Sequence, residues 1–449
     1  MKKIIFLTFI ILSCSNFSKA AGEPLKGSFS GVIKDMISGL PIPGATVYIA
    51  DMKVGSSTNT KGEFSIANIS EGFHLVEVSH IGYTTIAENL LIQGDIKRDF
   101  LLTESIIENN AVIITGVSKA TQLKKVPFQV SVMKKEDLLQ ASATNIIDAI
   151  TRKAGVSSVS TGPAISKPLI RGLGYNRVLT INDGVRQEGQ QWGDEHGIEI
   201  DEASVSKVEI LKGPASLVYG SDAMAGVLNI ITHVPVQSNS IKINTGANYQ
   251  SNNRLRSIYG NIAGNTNGFN WNIYGTRKAA ADYKNKYDGY VYNSKFNESN
   301  VGGYAGYNGS WGFSHLLVSS FHLKAGLVEG ERDADGFFIK PIAGGSEVRA
   351  TDSDFKSITP GIPHQDIQHF KIATDNSFKL GNNRLTFNVG WQQNQRKEFG
   401  NPDDLNEKEL YFDLKTITYT TQFPFREING GKPAIGTKGM KPDYTLQSR

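Results

Sequence analysis

From about residue 240 the chain alternates apolar and polar side chains in runs broken by turn-forming residues. SIKINTGANY, FNWNIYGTRK and RLTFNVGWQQ each place apolar side chains on one face of an extended segment and polar ones on the other, the period-2 signature of a strand. Eight such runs are legible, at 240–250, 255–264, 269–278, 299–308, 313–325, 367–379, 385–396 and 409–421, with a weaker ninth over Lys432 to Met440. Short connections (Asn265 to Gly268, Ser310 to Gly312, Leu380 to Asn383) alternate with longer ones (279–298, 326–366, 397–408), and only 251–254 breaks that alternation by its brevity. Strands of roughly 9–11 residues with alternating short and long connections are expected of a transmembrane antiparallel β-barrel, apolar outside and polar inside.

The chain before residue 240 is patterned differently. Over 28–104 the runs FSGVIKD, ATVYIADM, GEFSIANI, FHLVEVSHIGY and KRDFLLTE are short, β-branched and separated by Gly, Pro and Asn, which predicts a small β-sandwich. Lys134 to Arg152 contains helical spacing through Leu138, Leu139, Ile146, Ile147 and Ile150, with Gly155 as its stop. Residues 205–232, VSKVEILKGPASLVYGSDAMAGVLNIIT, are Gly-punctuated and strongly apolar. The expected architecture is mainly β: an N-terminal sandwich, a mixed α+β module, then strands of a membrane barrel.

Length and composition fit this picture. The 449 residues are enough for about three domains, and 46 Gly with 16 Tyr and 22 Phe suit a turn-rich β protein. A net charge of only +4 gives no argument for a nucleic-acid partner. Residues 1–20 have the build of a signal peptide: Lys2 and Lys3, an apolar run from Ile4 to Leu12, and a small-x-small site at Ser18-Lys19-Ala20. Cys14, the only cysteine, falls inside it. It fits a discarded residue better than a lipid-bearing one, and no disulfide framework is expected after cleavage. No run approaches the ~18 apolar residues of a membrane helix, so membrane residence has to come from strands.

Several tempting motifs fail on geometry. His74 and Glu77 are three apart, which on a strand points them to opposite faces and disfavours a shared zinc. His364 and His369 are five apart and fail the same way. Gly172 and Gly174 lack the third Gly of a dinucleotide fingerprint, and Gly213 to Gly220 lacks the Gly-Lys-Ser/Thr of a phosphate loop. Glu329, Glu331, Asp333 and Asp335 read as a solvated acidic run. No catalytic constellation is present, and neither an enzyme activity nor a resident cofactor is expected.

Particular phrases carry a family resemblance. DMISGLPIPGATVYI, NTKGEFSI and VSHIGYTT make residues 21–104 resemble the carboxypeptidase regulatory-like domain, an Ig-like sandwich. KKVPFQVSVMKKEDL, IRGLGYNRVLTINDGVR and VEILKGPASLVYGSDAMAGVLNIIT make residues 121–235 resemble the plug of TonB-dependent outer-membrane receptors. Within these phrases Arg171, Gly172, Asp183, Gly184, Gly213, Pro214, Tyr219, Gly220 and Gly226 match the plug pattern as structural positions. The linker 105–120 holds Ala111, Val112, Ile113, Ile114 and Thr115. This β-prone run is either one more sandwich strand or an extended peptide that adds to a partner's sheet edge; its position favours the second and resembles a TonB box.

The resemblance implies a Gram-negative outer-membrane location, contact with lipid, an inner-membrane TonB complex as partner, and a 22-stranded barrel around the plug. Residues 236–449 supply eight or nine strands, so the sequence reading expects the N-terminal part of an incomplete barrel. Eight strands enclose too little space for a plug of about 115 residues. A truncated, non-functional product is accordingly one expectation. Between the plug phrases, Trp192, Asp194, Glu195, His196 and Glu199 gather carboxylates and an imidazole. The set fits a metal or metal-chelate contact; a solvated acidic loop, or polar residues that support the plug fold, fits it somewhat better, since one His is far from a full ligand set. Uptake of a metal ion or metal complex is the expected function. A glycan or peptide receptor and a surface binding protein are the alternatives.

Overall fold

The computed structural model describes residues 27–80, 83, 85–103, 129–189, 193, 195–213, 221–233, 236, 240–309, 311–342, 344–380, 383–424 and 434–448. The first module has eight strands: β1 (Gly27–Asp35), β2 (Thr46–Ile49), β3 (Val54–Ser57), β4 (Glu63–Ile69), β5 (Gly72–Ser79), β6 (Ile86–Ile92), β7 (Asp95–Lys97) and β8 (Phe100–Leu102). They make two sheets, β4-β1-β7 with β8 also on β1, and β3-β2-β5-β6. The alternation that predicted a sandwich places Phe29, Ile33, Val47, Phe64, Val76 and Phe100 between the sheets. Strands β3 and β6 were not legible in the sequence, because VGSS is too polar and IAENLLI lacks strict alternation.

The middle module starts with β9 (Gln129–Lys134) and helices Lys135–Gln140 and Ile146–Ile150. The first helix is closed by Asp137 reaching back to the Lys134 N–H, and Asn145 caps the second through the Asp148 N–H; each satisfies an orphan donor of the first turn. Leu138, Ile146, Ile147 and Ile150 are buried as their spacing predicts, whereas Leu139 is exposed. Then follow β10 (Val156–Gly162), β11 (Ile165–Ile170), β12 (Val178–Asn182), β13 (Val185–Arg186), β14 (Lys207–Lys212) and β15 (Gly226–Ile231). The sheet runs β13-β12-β15-β14-β9, with β12 and β15 parallel.

The motif glycines have backbone reasons. Asp183 (φ 53°) and Gly184 (φ 82°) form the two-residue turn between β12 and β13, which needs φ > 0 at both positions. Gly226 sits where a Cβ would lie 2.4 Å from the Leu211 carbonyl oxygen. Pro214, Tyr219 and Gly220 lie outside the described residues.

The wall consists of β16 (Ser240–Gln250), β17 (Leu255–Thr266), β18 (Phe269–Ala280), β21 (Phe296–Gly309), β22 (Gly312–Gly326), β25 (His364–Leu380), β26 (Asn383–Phe399), β27 (Leu410–Pro424) and β28 (Ala434–Ser448). The strands β19 (Lys284–Asn285), β20 (Gly289–Tyr290), β23 (Ile339–Ile342) and β24 (Ser346–Arg349) form small hairpins inside two long connections. The nine wall strands pair antiparallel in sequence order, from β16 to β28, as one open sheet, a sector of barrel wall. All eight runs are strands here, and several extend past the expected length: β25 and β26 each have 17 residues. Their extra residues are polar ends such as Lys397 and Glu398, paired beyond the apolar band. The ninth strand reaches Ser448, past the expected Met440. Gly436, Gly439 and Pro442 blur its alternation, and Pro is tolerated because β28 is an edge of the described sheet.

The wall inverts the soluble pattern. Ile241, Ile258, Ile273, Val301, Leu316 and Ile417 are exposed on one face. On the other, Lys278, Glu298, His369, Lys371, Asn394 and Arg396 are buried, because the middle module packs there. Aromatic rings Tyr307, Trp311 and Phe378 stack at the short-turn end, as the interfacial girdle of a membrane barrel requires.

Candidate functional site

The polar face of the wall and the loop between β13 and β14 build a continuous seam. At the end with the long connections, Glu199 accepts from Arg396 Nη2 at 3.1 Å, from Asn394, and lies 2.7 Å from His369 Nδ1. The imidazole is fixed on its other side by Gln392 Oε1 at 3.1 Å. Arg396 also donates to Gln365 and to the Glu195 carbonyl. At the same end, against β18 and β21, Asp201 accepts from Thr276 at 2.6 Å, and Lys278 sits between Glu202 (2.6 Å) and Glu298 (3.1 Å). Burial raises the Glu202 carboxyl to about 7 against the pull of Lys278, with Glu298 and Asp201 adding to the rise. Towards the short turns, Asp183 pairs with Lys371 at 3.3 Å and accepts from the Thr232 N–H and hydroxyl at 2.8 and 2.7 Å. Although burial pushes the Asp183 carboxyl up, Lys371, His233 and the Thr232 amide hold it below the usual carboxylate range.

The seam is tight. Asn182, Asp183, Glu199, Asp201, Tyr274 and Lys371 help line a cavity of about 30 Å³, room for a water or two.

The predicted contact residues divide. Trp192 and Asp194 lie outside the described residues, as do Ala111 to Thr115. Glu195 and His196 are half-buried at the end facing the long connections, with His196 Nε2 3.9 Å from Glu398. Burial, then Arg396 and Lys167, lower the His196 imidazole to about 3, so it is neutral at physiological pH. Glu199 is spent on Arg396, His369 and Asn394, so it positions the loop. Sequence reasoning missed Lys278, Lys371 and Arg396. Their signal was a long charged side chain at an inward position of an alternating strand.

The disfavoured pairs behave as their spacing predicts. His74 is held by Asp51 (2.9 Å) and the Ser70 carbonyl (2.5 Å), without Glu77. His364 turns to the Gly361 carbonyl while His369 meets Glu199. Asp333 and Asp335 pair with exposed Arg349.

Residues 122–227 match the TonB-dependent Receptor Plug Domain, and residues 29–114 the CarboxypepD_reg-like domain; the second match runs into the 111–115 segment. The chain is 32% identical over 146 residues to the iron-regulated outer membrane virulence protein of Vibrio cholerae, covering 30% of this chain and 22% of that protein. It is 31% identical over 150 residues to the vitamin B12 transporter BtuB of Vibrio vulnificus, covering 33% and 25%. It is 30% identical over 124 residues to the hemin receptor of Yersinia enterocolitica, covering 27% and 18%. Among solved structures, the siderophore receptor PirA of Acinetobacter baumannii superposes with a TM-score of 0.53 at 18% identity, over 73% of this chain and 50% of that one. The ferric-catecholate import receptor Fiu of E. coli K12 gives 0.52 at 16% identity, over 71% and 50%. These likenesses establish the fold. The chain spans about half the length of the solved receptors and a quarter or less of the curated relatives.

Proposed function

We propose that this chain, which belongs to the TonB-dependent receptors by its plug and its sector of barrel wall, serves energy-coupled uptake of a metal ion or metal complex across a Gram-negative outer membrane. The carrying observation is the seam: among the described residues the plug is held to the wall by buried charge pairs around a cavity of about 30 Å³. A plug seated on buried charge pairs needs work done on it to shift it. A β-prone segment ahead of the plug, Ala111 to Thr115, is suited to deliver that pull by adding as a strand to a TonB-type partner. Glu195 and His196, at the end with the long connections, are the candidate ligand contacts, joined in sequence by Trp192 and Asp194. The relatives named for hemin, vitamin B12 and iron regulation favour a metal complex over a glycan or peptide. The chain binds and passes its ligand without transforming it.

The test is uptake of a radiolabelled iron chelate or hemin by cells carrying a full-length version, with and without TonB. Uptake that requires both TonB and residues 111–115 supports the proposal. Equal uptake without TonB would sink it.

A further inference from the structure

At the short-turn end, three modules meet around two histidines. His233 follows the last plug strand, His315 lies on β22 and Asp375 on β25. All three are buried, and one donor atom from each lies within 4.8 Å of the others. The hydrogen bonds around them are those of ligands held in place. His233 Nδ1 is anchored on Asp183 at 3.2 Å, which directs Nε2 towards Asp375, 3.0 Å away. His315 Nε2 is anchored on Asn308 Oδ1 at 2.8 Å, and Asn308 in turn donates to Asp51 at 2.8 Å. The other nitrogen, His315 Nδ1, has no hydrogen-bond partner although the residue is 1% exposed. An imidazole oriented through one nitrogen by an amide, with the other unpartnered, is the arrangement that metal ligands adopt, and His315 has it; His233 is held by carboxylates at both nitrogens, so a metal there has to take the place of its bond to Asp375.

One cation is already present. Lys53, from the loop between β2 and β3, places its ammonium 3.5 Å from both Asp375 Oδ2 and His233 Nε2. Those distances are long for charge-assisted bonds, and the contact is made by the first module, not by the plug or the wall. Asp51, Asp183 and Asp375 face the cluster with Lys53 and Lys371, so withdrawing Lys53 leaves the cluster short of positive charge.

We propose that His233, His315 and Asp375 form a divalent transition-metal site whose open coordination position is occupied by the Lys53 ammonium while the N-terminal domain is docked. Metal and docked domain therefore compete. Imidazole and carboxylate donors suit zinc and its neighbours. Tetrahedral coordination at about 2.0–2.1 Å sets donors roughly 3.3–3.4 Å apart, a spacing the His233–Asp375 pair at 3.0 Å already reaches, while donors at the 4.8 Å limit of the cluster would close by about 1.5 Å. By linkage, a metal that displaces Lys53 weakens docking by the factor by which docking weakens metal binding. The site lies at the opposite end of the seam from Glu195 and His196, and the inference does not depend on what is taken up.

The test is titration of the full chain, purified in detergent, with Zn²⁺ against a chromophoric chelator, each variant first checked for its heat-shifted band on gels. About one equivalent should bind, with affinity falling at least about tenfold in His315→Ala and Asp375→Asn. Lys53→Gln removes the competitor without touching a ligand and should raise affinity severalfold. Absence of saturable binding, or binding unchanged in both ligand variants, overturns the site. Unchanged affinity in Lys53→Gln overturns the competition. Zinc lost in His196→Ala and retained in His315→Ala assigns the ion to the mouth and overturns the proposal.

Discussion

Arg396 of the wall and Glu199 of the plug loop lie 3.1 Å apart, with 1% and 3% of their side chains exposed. Pairs of this kind are weak evidence of net stability, since desolvating both ions offsets most of their attraction. Removing one partner is different. Glu199→Ala leaves a guanidinium in the seam with only Gln365 and the Glu195 carbonyl as acceptors, and should cost about 3–5 kcal/mol. Replacing both, Glu199→Gln with Arg396→Met, keeps an acceptor for His369 and Asn394 and should recover much of that loss. Urea unfolding of the detergent-solubilised protein measures all three. Single variants within about 0.5 kcal/mol of the parent would show that the pair does not hold the plug.

The outward face offers a sharper discrimination between a membrane wall and a soluble sheet. Val301, mid-strand on β21, is 57% exposed. Val301→Arg should destabilise a lipid-facing wall by about 2–4 kcal/mol. On a solvated sheet the same change falls within about 0.5 kcal/mol. Folding titrations into lipid vesicles read the difference, and a neutral result there would contradict the lipid-facing assignment.

These two predictions also mark what the sequence could and could not tell. Val301 and its outward neighbours announce themselves by strict alternation, because period 2 follows from strand geometry alone. The positive-φ pairs Arg171-Gly172 and Asp183-Gly184 fall on positions that carried only a match to the plug pattern, although backbone conformation selects such residues locally. Arg396 and Glu199 are 197 positions apart, and no local pattern encodes which wall position a plug carboxylate meets. The same holds for Lys53 and Asp375, 322 positions apart. Glu199 was picked out as a ligand contact for its chemistry. Its neighbours in space show that the same chemistry seats the loop.

Energy coupling gives the third prediction. Ile113→Pro removes a backbone donor at the centre of the segment expected to pair with a partner strand. In a full-length version, uptake should be abolished, while equilibrium binding of the same ligand to isolated membranes stays within about twofold, since the plug mouth is untouched. Unchanged uptake would remove the segment from the mechanism and return it to the sandwich, whose family match extends to residue 114.

The N-terminal domain carries a pH dependence of its own. His74 is 3% exposed, and both ring nitrogens face acceptors, the Asp51 carboxylate and the Ser70 carbonyl. Both must therefore carry protons, which makes the ring an imidazolium. Burial lowers its pKa, but the charge and hydrogen bond of Asp51 outweigh burial, and the result lies above the ordinary 6.5. A group raised on folding contributes stability that is fully present below about pH 6.5 and is lost as pH rises through the folded pKa. Thermal unfolding of the domain's transition should fall across that window, with a slope of at most about 1.4 kcal/mol per pH unit for one proton. His74→Gln should flatten the slope. Asp51 also accepts from Asn308 of the wall, so Asp51→Asn should both flatten the slope and loosen the domain from the barrel rim. A pH slope that survives in His74→Gln would assign the titration to another group.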